Sequence, residues 1–364
     1  MKKKVITILG TRPEIIRLSE IIPKLDKFTN NVLIHTGQNY DYNLDKTFFK
    51  NFRLRKPDYF LKSKGNFSEQ IANILKKLHI IIKKEKPDRF LVLGDTNSSL
   101  GAIVAKRLGI PVFHMEAGNR QYDDIVPEEV NRRIIDNCSD ILLPYTNRSC
   151  ENLVSEGINR NRIFITGNPI YEVIKKNLGK KNNSKVLNTL KIKKKNYFLV
   201  TIHRQENVDN LPRLNFIINT LEKIYLKFKK PIIWPMHPRT LKNIKTYRIK
   251  IKKQIKIIQP TDFFNFIFLE KNAFCVLTDS GTVQEECSIF KIPNIILREK
   301  TERPETIEAG SSIISFNNTK DVLNAINFSV NISDPSDDVP GYLNLNVSNK
   351  ILNIILSNYE FDKN

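Results

Sequence analysis

The 364-residue sequence lacks any apolar run near the length of about 18 to 20 residues that a membrane-spanning helix needs. Lysines follow Met1, as in a secretory signal, but the apolar run after them extends only from Val5 to Leu9. The four cysteines are widely spaced and form no Cys-x-x-Cys pair, so neither a disulfide framework nor a zinc site is indicated. We therefore expect a cytoplasmic protein without membrane insertion.

Two common nucleotide-binding signatures are also missing. The sequence has no Gly-x-Gly-x-x-Gly fingerprint, which argues against a nicotinamide cofactor, and no Gly-Lys-Ser/Thr of a Walker loop. No cluster of His, Cys, Asp and Glu has a spacing that recommends a metal. The sequence thus predicts neither a cofactor nor a metal.

The formal net charge of +21 raises the question of a nucleic-acid partner. Lysine is spread along the chain together with isoleucine and asparagine, as in Lys191 to Asn196 and in Lys242 to Lys256. This distribution favours a scattered, solvated surface over a polynucleotide groove. A positive field would still attract an anionic diphosphate.

Short apolar runs alternate with polar turns and helical stretches, which is typical of strands buried on both faces of a parallel sheet. We predict an α/β protein of two Rossmann-like, doubly wound domains facing a cleft, with domain bounds of 1–174 and 196–364, a connection at 175–195, and a last helix able to cross back. Helices are expected over Arg17–Leu25 and Ser68–Glu85. The runs that we interpret as strands are Val5–Leu9, Val32–His35, Phe90–Leu93, Val112–Met115, Tyr197–Ile202, Pro231–Met236, Ala273–Thr278 and Asn294–Leu297.

In open α/β sheets, ligands collect at the carboxyl ends of the strands. After the first predicted strand comes Gly10-Thr11-Arg12-Pro13-Glu14, where glycine permits a turn and proline begins a helix. Arg12 would then face an anion beside the helix amides. The alternative is a plain turn that carries a surface arginine.

Two carboxylates, Asp95 and Glu116, end neighbouring strands. Paired carboxylates in a cleft can hold different pKa values and divide acid and base work. Helix capping is the alternative for Asp95. Glu128 follows Pro127 in a predicted first helical turn, where acids more often compensate the helix dipole.

In the second half, His203 and His237 each follow a predicted strand and could donate to a leaving phosphate, although a lone histidine is more often structural. Thr278-Asp279-Ser280-Gly281-Thr282 is a small-residue turn before a helix, and its amides can cradle a diphosphate. An acid one helical turn later can hold a ribose diol. We interpret His114, inside a strand, as structural.

Taken together, these motifs resemble the non-hydrolysing UDP-N-acetylglucosamine 2-epimerase family over nearly the whole chain. The resemblance implies a glycosyltransferase-B-like fold that binds a UDP-2-acetamido sugar, usually as a homodimer. The motifs that carry it are Gly10-Thr11-Arg12-Pro13-Glu14, Gly94-Asp95-Thr96, Glu116-Ala117-Gly118, Pro127-Glu128-Glu129 with Asn131-Arg132, Thr166-Gly167-Asn168, His203-Arg204, Thr278-Asp279-Ser280-Gly281 and Thr301-Glu302-Arg303-Pro304-Glu305.

When the family's functional residues are transferred by motif position, the resemblance implies that Asp95, Glu116 and Glu128 are the essential carboxylates and that His203 is a catalytic residue. Thr282 stands where the family has glycine, but its backbone amide remains available. The residues implied in UDP binding are Arg12, His237, Ser280, Gly281, Thr282, Glu286 and Arg303.

Arg17 replaces the family's lysine, and Gly37-Gln38-Asn39-Tyr40 differs from its usual Gln-His stretch. In these departures, and in residues 55–61 and 114–120, the sequence resembles one branch of the family. That branch converts UDP-2-acetamido-2,6-dideoxy-L-talose to UDP-N-acetyl-L-fucosamine for capsule and O-antigen polymers. Arg17 would join Arg12 and His203 in stabilising the departing diphosphate.

The expected chemistry is elimination of UDP to a 2-acetamidoglycal and re-addition with C2 inverted, and the sequence leaves open which carboxylate removes the proton. The main alternative substrate is UDP-N-acetylglucosamine, which would give the manno epimer. A glycosyltransferase of the same fold, a hydrolysing epimerase and a basic nucleic-acid module are the more distant alternatives.

Overall fold

The computed structural model describes residues 2–38, 42–124, 126–177, 185–332 and 336–359, with the backbone alone for 42–46. The chain divides into two compact units, Met1–Lys176 with Pro340–Asn364 and Asn177–Val339. The domain bounds expected from the sequence, 1–174 and 196–364 with a connection at 175–195, stay a prediction.

Within the described residues, the first unit contains a six-stranded sheet whose neighbouring strands all run parallel. Its order is β3-β2-β1-β4-β5-β6, so the order reverses between β1 and β4. At such a reversal the loops diverge and leave room for a ligand. The strands are β1 (Lys4–Leu9), β2 (Asn30–His35), β3 (Tyr59–Phe60), β4 (Arg89–Leu93), β5 (Val112–Met115) and β6 (Ile141–Leu143).

The helices of the first unit connect these strands. The bounds of the first eight are α1 (Arg12–Leu18), α2 (Ile22–Phe28), α3 (Tyr42–Asn51), α4 (Phe67–Glu85), α5 (Ala102–Arg107), α6 (Pro127–Cys138), α7 (Asn147–Ser155) and α8 (Ile170–Asn177). Helix α4 confirms the helix predicted over Ser68–Glu85. Its N-cap is Asn66, whose side chain accepts from the Glu69 amide. The Glu69 carboxylate in turn accepts from the Asn66 amide.

The single helix predicted over Arg17–Leu25 is wrong. Helix α1 ends at Leu18 and α2 begins at Ile22. Pro23 explains the break, because its ring has no N–H and would clash with the carbonyl four residues earlier in a continuous helix.

The second unit repeats the topology of the first in its described residues. Its sheet is also parallel and six-stranded, in the order β12-β11-β10-β7-β8-β9, and it reverses between β7 and β10. The strands are β7 (Phe198–Thr201), β8 (Ile232–Pro235), β9 (Ile255–Ile258), β10 (Cys275–Thr278), β11 (Asn294–Ile296) and β12 (Ile313–Ile314). The helices are α9 (Lys185–Leu190), α10 (Gln205–Val208), α11 (Leu211–Phe228), α12 (Pro238–Thr246), α13 (Phe263–Lys271), α14 (Gly281–Phe290), α15 (Pro304–Glu308) and α16 (Thr319–Asn331).

Alternate residues of the central strands belong to different cores. In β7, Phe198 and Val200 pack in one cluster with α11, whereas Leu199 packs in another with residues of α13 and α14. All three side chains are fully buried. The prediction of strands covered on both faces, and with it the α/β class, is therefore confirmed.

The last helix, α17 (Val347–Leu356), belongs to the first unit and packs against α2. Buried Glu172 on α8 accepts from the Ser348 amide at 2.9 Å and from the Ser348 hydroxyl at 2.5 Å. These bonds satisfy the start of α17.

Across the described ranges, no helix combines the length and apolar character that a bilayer crossing requires. In that same part of the chain, no group of three or more His, Cys, Asp or Glu residues is arranged to hold a metal ion.

The turn after β5 requires glycine at position 118. Gly118 has a φ of +78°, and a Cβ placed there would lie 2.1 Å from the Ser149 carbonyl oxygen. Gly109 has nearly the same φ, +74°, but nothing lies within 4 Å of a Cβ built there. A side chain at either position would therefore strain the backbone equally, but only at position 118 would it also clash with neighbouring atoms.

We expect Gly109→Ala to lower the free energy of unfolding by about 1–2 kcal/mol, the cost of a left-handed alanine. Gly118→Ala should cost about 1–3 kcal/mol more, because the added methyl overpacks the turn. Urea unfolding of both variants measures the difference. Equal losses would show that the Ser149 contact is not restrictive.

Candidate active site

The turns at the carboxyl ends of β1, β4 and β5 bring polar side chains to one edge of the first sheet. Leu93 of β4 pairs with Met115 of β5, so Asp95 and Glu116 lie just beyond the ends of adjacent strands. The carboxylates that the sequence singled out thus follow neighbouring strands, as predicted.

Asp95 is held by the start of α6. Its Oδ2 accepts from Arg132 Nε at 2.8 Å and Nη2 at 2.7 Å, and its backbone carbonyl accepts from Asn131 Nδ2 at 2.8 Å. Arg132 also donates to buried Glu129 at 2.8 Å. The helix therefore orients Asp95 through a charged, directional pair.

Glu116 adopts a left-handed backbone, with a φ of +65°. Its carboxylate accepts from the Arg17 guanidinium, from Asn119 Nδ2 at 3.3 Å and from the Tyr145 hydroxyl at 3.4 Å. The Arg17 guanidinium also lies 5.5 Å from the Tyr145 ring centroid. A non-glycine residue held in this region stores strain that is typical of functional sites.

In the second unit, fully buried Asp279 joins the turns after β7 and β10. It accepts from the backbone amides of His203, at 3.1 Å and 3.2 Å, and of Arg204, at 3.0 Å, and from Asn207 Nδ2 at 3.1 Å. The exposed imidazole of His203 lies 6.0 Å from that of His237, measured between ring centroids. The carboxyl edge of this sheet therefore presents two histidines.

Ser280 is the N-cap of α14, and its hydroxyl lies 3.0 Å from that of Thr282. A Cβ at Gly281 would lie 2.5 Å from Glu302 Oε1, so glycine lets the backbone pass close to that carboxylate. A helix N-terminus with small hydroxyl residues is suited to an anionic phosphate.

The sequence profile of the UDP-N-acetylglucosamine 2-epimerase family matches residues 24–356. The chain belongs to this non-hydrolysing 2-epimerase family. It is an isomerase that acts on a UDP-sugar.

Two curated relatives illustrate the range of the family. The chain is 43% identical over 340 residues to the UDP-N-acetylglucosamine 2-epimerase of Methanocaldococcus jannaschii, covering 90% of this chain and 92% of the relative. It is 34% identical over 318 residues to the UDP-2,3-diacetamido-2,3-dideoxy-D-glucuronate 2-epimerase of Pseudomonas aeruginosa, covering 85% and 88%.

The fold is similar to that of the M. jannaschii UDP-GlcNAc 2-epimerase solved in complex with UDP-GlcNAc and UDP. The TM-score is 0.91 at 41% identity, and the match covers 97% of this chain and 99% of that one. The predicted glycosyltransferase-B-like fold, with two doubly wound parallel sheets, is confirmed.

Several residues predicted to take part in 2-epimerisation have protein partners of their own. Arg17, expected to contact the diphosphate, is buried against Glu116, and buried Arg303 pairs with Glu285. Glu128 is exposed in the first turn of α6, while its neighbour Glu129 is buried. The catalytic and UDP-binding roles of Arg17, Arg303 and Glu128 stay predictions.

The remaining predicted residues are found at turns and helix starts. Arg12, half-buried at the start of α1, lies 5.9 Å from the Phe48 ring centroid. Gln38 contacts the Ser98 hydroxyl at 3.2 Å, whereas Asn39 and Tyr40 lie outside the described residues. Glu286 is buried one turn into α14, beside Glu270, whose pKa is raised by burial and by Glu286 itself.

The buried carboxyl of Glu14 was not singled out from the sequence as a functional group. Its Oε2 accepts from the amides of Gly10, at 3.0 Å, and Thr11, at 2.8 Å, and from the Thr11 hydroxyl at 2.7 Å. Its Oε1 accepts from the Thr96 hydroxyl at 3.1 Å, so Glu14 joins the turns after β1 and β4. The Thr-x-x-Glu spacing of a capping box was the available signal.

Burial raises the pKa of Glu14 from about 4.5 to about 7, even though the four hydrogen bonds lower it. The native state therefore binds this proton more tightly than the unfolded chain does. Its contribution to stability is present at low pH and is lost as pH rises from about 4.5 through about 7.

We expect Glu14→Gln to remove this part of the pH dependence, so its unfolding free energy should decline less than that of the wild type between pH 5 and pH 8. Chemical denaturation at both pH values measures the change. Thr11→Val is the control: it removes a donor that favours the charged carboxylate, so its decline should be at least as steep as in the wild type. If Glu14→Gln declined as steeply as the wild type, the assignment would be wrong.

Proposed function

We propose that the protein inverts carbon 2 of a UDP-2-acetamido sugar by eliminating UDP and adding it back. The observation that carries the proposal is the arrangement of Asp95 and Glu116 just beyond adjacent strands, each fixed by an arginine, Arg132 and Arg17 respectively. Two fixed carboxylates beside one another can divide the removal and the return of a proton.

The proton on carbon 2 is too weakly acidic for a carboxylate to remove unaided, because no carbonyl is adjacent. In the proposed reaction, the bond between C1 and the UDP oxygen breaks and its electron pair leaves with UDP. One carboxylate takes the C2 proton as the C1=C2 double bond of the 2-acetamidoglycal forms. The other then protonates the opposite face of C2 while a UDP oxygen rebinds C1.

We assign proton transfer to Asp95 and Glu116, with Glu128 supporting or sharing it. The carboxyl group that returns the proton must be protonated before UDP leaves, because the proton taken from C2 stays on the other carboxylate. Arg12 and His203 would stabilise the departing diphosphate, a contribution of about 2.7–4 kcal/mol for one well-placed donor.

Apart from Arg12, the residues assigned to UDP binding belong to the second unit. The N-terminus of α14 with Ser280, Gly281 and Thr282 suits the diphosphate, and buried Glu286 suits the ribose diol. His237 is the N-cap of α12, where its Nδ1 accepts from the Arg239 amide at 3.2 Å and leaves the ring at the carboxyl edge of the sheet.

For the sugar, we propose UDP-2-acetamido-2,6-dideoxy-L-talose, converted to UDP-N-acetyl-L-fucosamine. Arg17 and Asn119 belong to the sequence features that resemble the UDP-N-acetyl-L-fucosamine branch. Both side chains bond to the Glu116 carboxylate, and this supports the proposal. A planar guanidinium and a lysine ammonium are not interchangeable at such a site, so the sugar environment differs from that of the standard family. The named function of the M. jannaschii relative supports UDP-N-acetylglucosamine as the second candidate.

We expect Asp95→Asn to reduce epimerisation by at least about 100-fold, because a neutral amide can neither take nor return a proton. UDP affinity should change little, since Asp95 is not among the residues assigned to UDP binding. Steady-state kinetics and calorimetric UDP titration measure the two effects. Full activity in this variant would exclude Asp95 from proton transfer.

The substrate assignment predicts faster turnover of the L-talo sugar nucleotide than of UDP-N-acetylglucosamine by the same enzyme preparation. Proton NMR in D2O should show deuterium only at carbon 2, because that is where solvent exchanges. Preference for UDP-N-acetylglucosamine would identify the second candidate. Turnover of either sugar without deuterium at C2 would contradict the elimination mechanism.

A further inference from the structure

The imidazole of His114 contacts the backbone next to Asp95. His114 lies in β5 with its side chain buried. Its Nε2 is 3.0 Å from the Gly94 carbonyl oxygen, and its Nδ1 is 2.8 Å from Asp136 Oδ1. Both ring nitrogens therefore have a partner within hydrogen-bond distance.

Both of those partners accept. A backbone carbonyl has no proton to give, and neither has an ionised carboxylate. Although burial alone would raise the pKa of Asp136, hydrogen bonds and charge from His114 and Arg120 hold it below its ordinary value. Nε2 of His114 therefore donates to the Gly94 carbonyl, and Nδ1 lies against the Asp136 carboxylate.

The second oxygen of Asp136 reaches the turn that follows Glu116. Oδ2 accepts from the Gly118 amide at 3.2 Å and from Arg120 Nη2 at 2.8 Å. The Gly94 amide in turn donates to the Met115 carbonyl at 3.0 Å. A single buried carboxylate is thus connected to both turns that carry the proposed acid and base.

We propose that His114 and Asp136 are positioning residues for the epimerisation, fixing the turn of Asp95 through the Gly94 carbonyl and the turn of Glu116 through the Gly118 amide. The inference rests on the function proposed above for these two carboxylates. It changes the interpretation of His114 from a structural residue to one that acts on catalysis through Gly94.

The strain at Glu116 is the reason that positioning is needed. A left-handed non-glycine residue costs about 1–3 kcal/mol and persists only where its surroundings determine it. The Asp136 bond to Gly118, two residues later, supplies such a restraint. A displacement of about 1 Å at a reacting group can reduce the rate about 100-fold.

Two amide substitutions at His114 separate its two bonds. The amide nitrogen of His114→Gln reaches about as far as Nε2, so it can still donate to Gly94. The shorter His114→Asn places its amide near the position of Nδ1, so it keeps the Asp136 bond and loses the Gly94 bond. Thr29→Val is the control: it removes a buried hydroxyl bond to the Leu25 carbonyl, at 2.6 Å, beside the amino end of β2.

We expect kcat to fall about 100-fold in His114→Asn and less than about tenfold in His114→Gln, with KM and UDP affinity near wild type in both. Thr29→Val should lower the melting temperature and leave kcat unchanged. Equal kcat losses in the two amide variants, or losses that follow melting temperature across all three, would overturn the proposal.

Two measurements that do not depend on turnover accompany the kinetics. With five histidines in the chain, 15N-histidine NMR can identify His114, which should show a proton on Nε2, the nitrogen that faces the Gly94 carbonyl. Hydrogen exchange at Gly94 should quicken in His114→Asn more than in His114→Gln. An Nε2 without a proton, or equal exchange in the two variants, refutes positioning, whereas a wild type that binds UDP but epimerises neither sugar refutes only the proposed function.

Discussion

In each unit, a fully buried aspartate binds the backbone of a turn at the carboxyl edge of the sheet. Asp136 accepts from the Gly118 amide, and Asp279 accepts from the amides of His203 and Arg204. Asp136 also pairs with buried Arg120, and breaking a buried ion pair by removing one partner costs about 3–5 kcal/mol. The turns at the carboxyl edges depend on these two carboxylates for their shape.

Such rigidity suits a reaction in which charge develops quickly on a leaving diphosphate. Donors that already point in the required direction need no reorganisation when the bond breaks. The avoided reorganisation energy is the main source of electrostatic catalysis. The arginine pairs of Asp95 and Glu116 would fix the proposed acid and base in the same way. The proposed chemistry and the fold would then depend on one kind of interaction, a charged group that is fixed before substrate arrives.

The apolar runs predicted the central strands of both sheets, because a strand buried on both faces must be apolar throughout. They missed the two-residue strands β3 and β12, then β9, where Lys256 and Ile257 are exposed, and β6, which has three residues before Pro144. The turn motifs located Asp95 and Glu116 but not their partners. Arg17 and Glu116 are 99 positions apart, and local spacing carries no information about which arginine meets which carboxylate across the sheet.

Helix α17 lies in the first unit although the second unit precedes it in the chain. A ribosome therefore completes the second unit before the segment that finishes the first has been made. Until then, α2 has an uncovered surface and Glu172 lacks its bonds to Ser348. During synthesis, the earliest residues to emerge are among the last to reach their final environment, and a nascent chain stalled near residue 340 would expose this surface to chaperones.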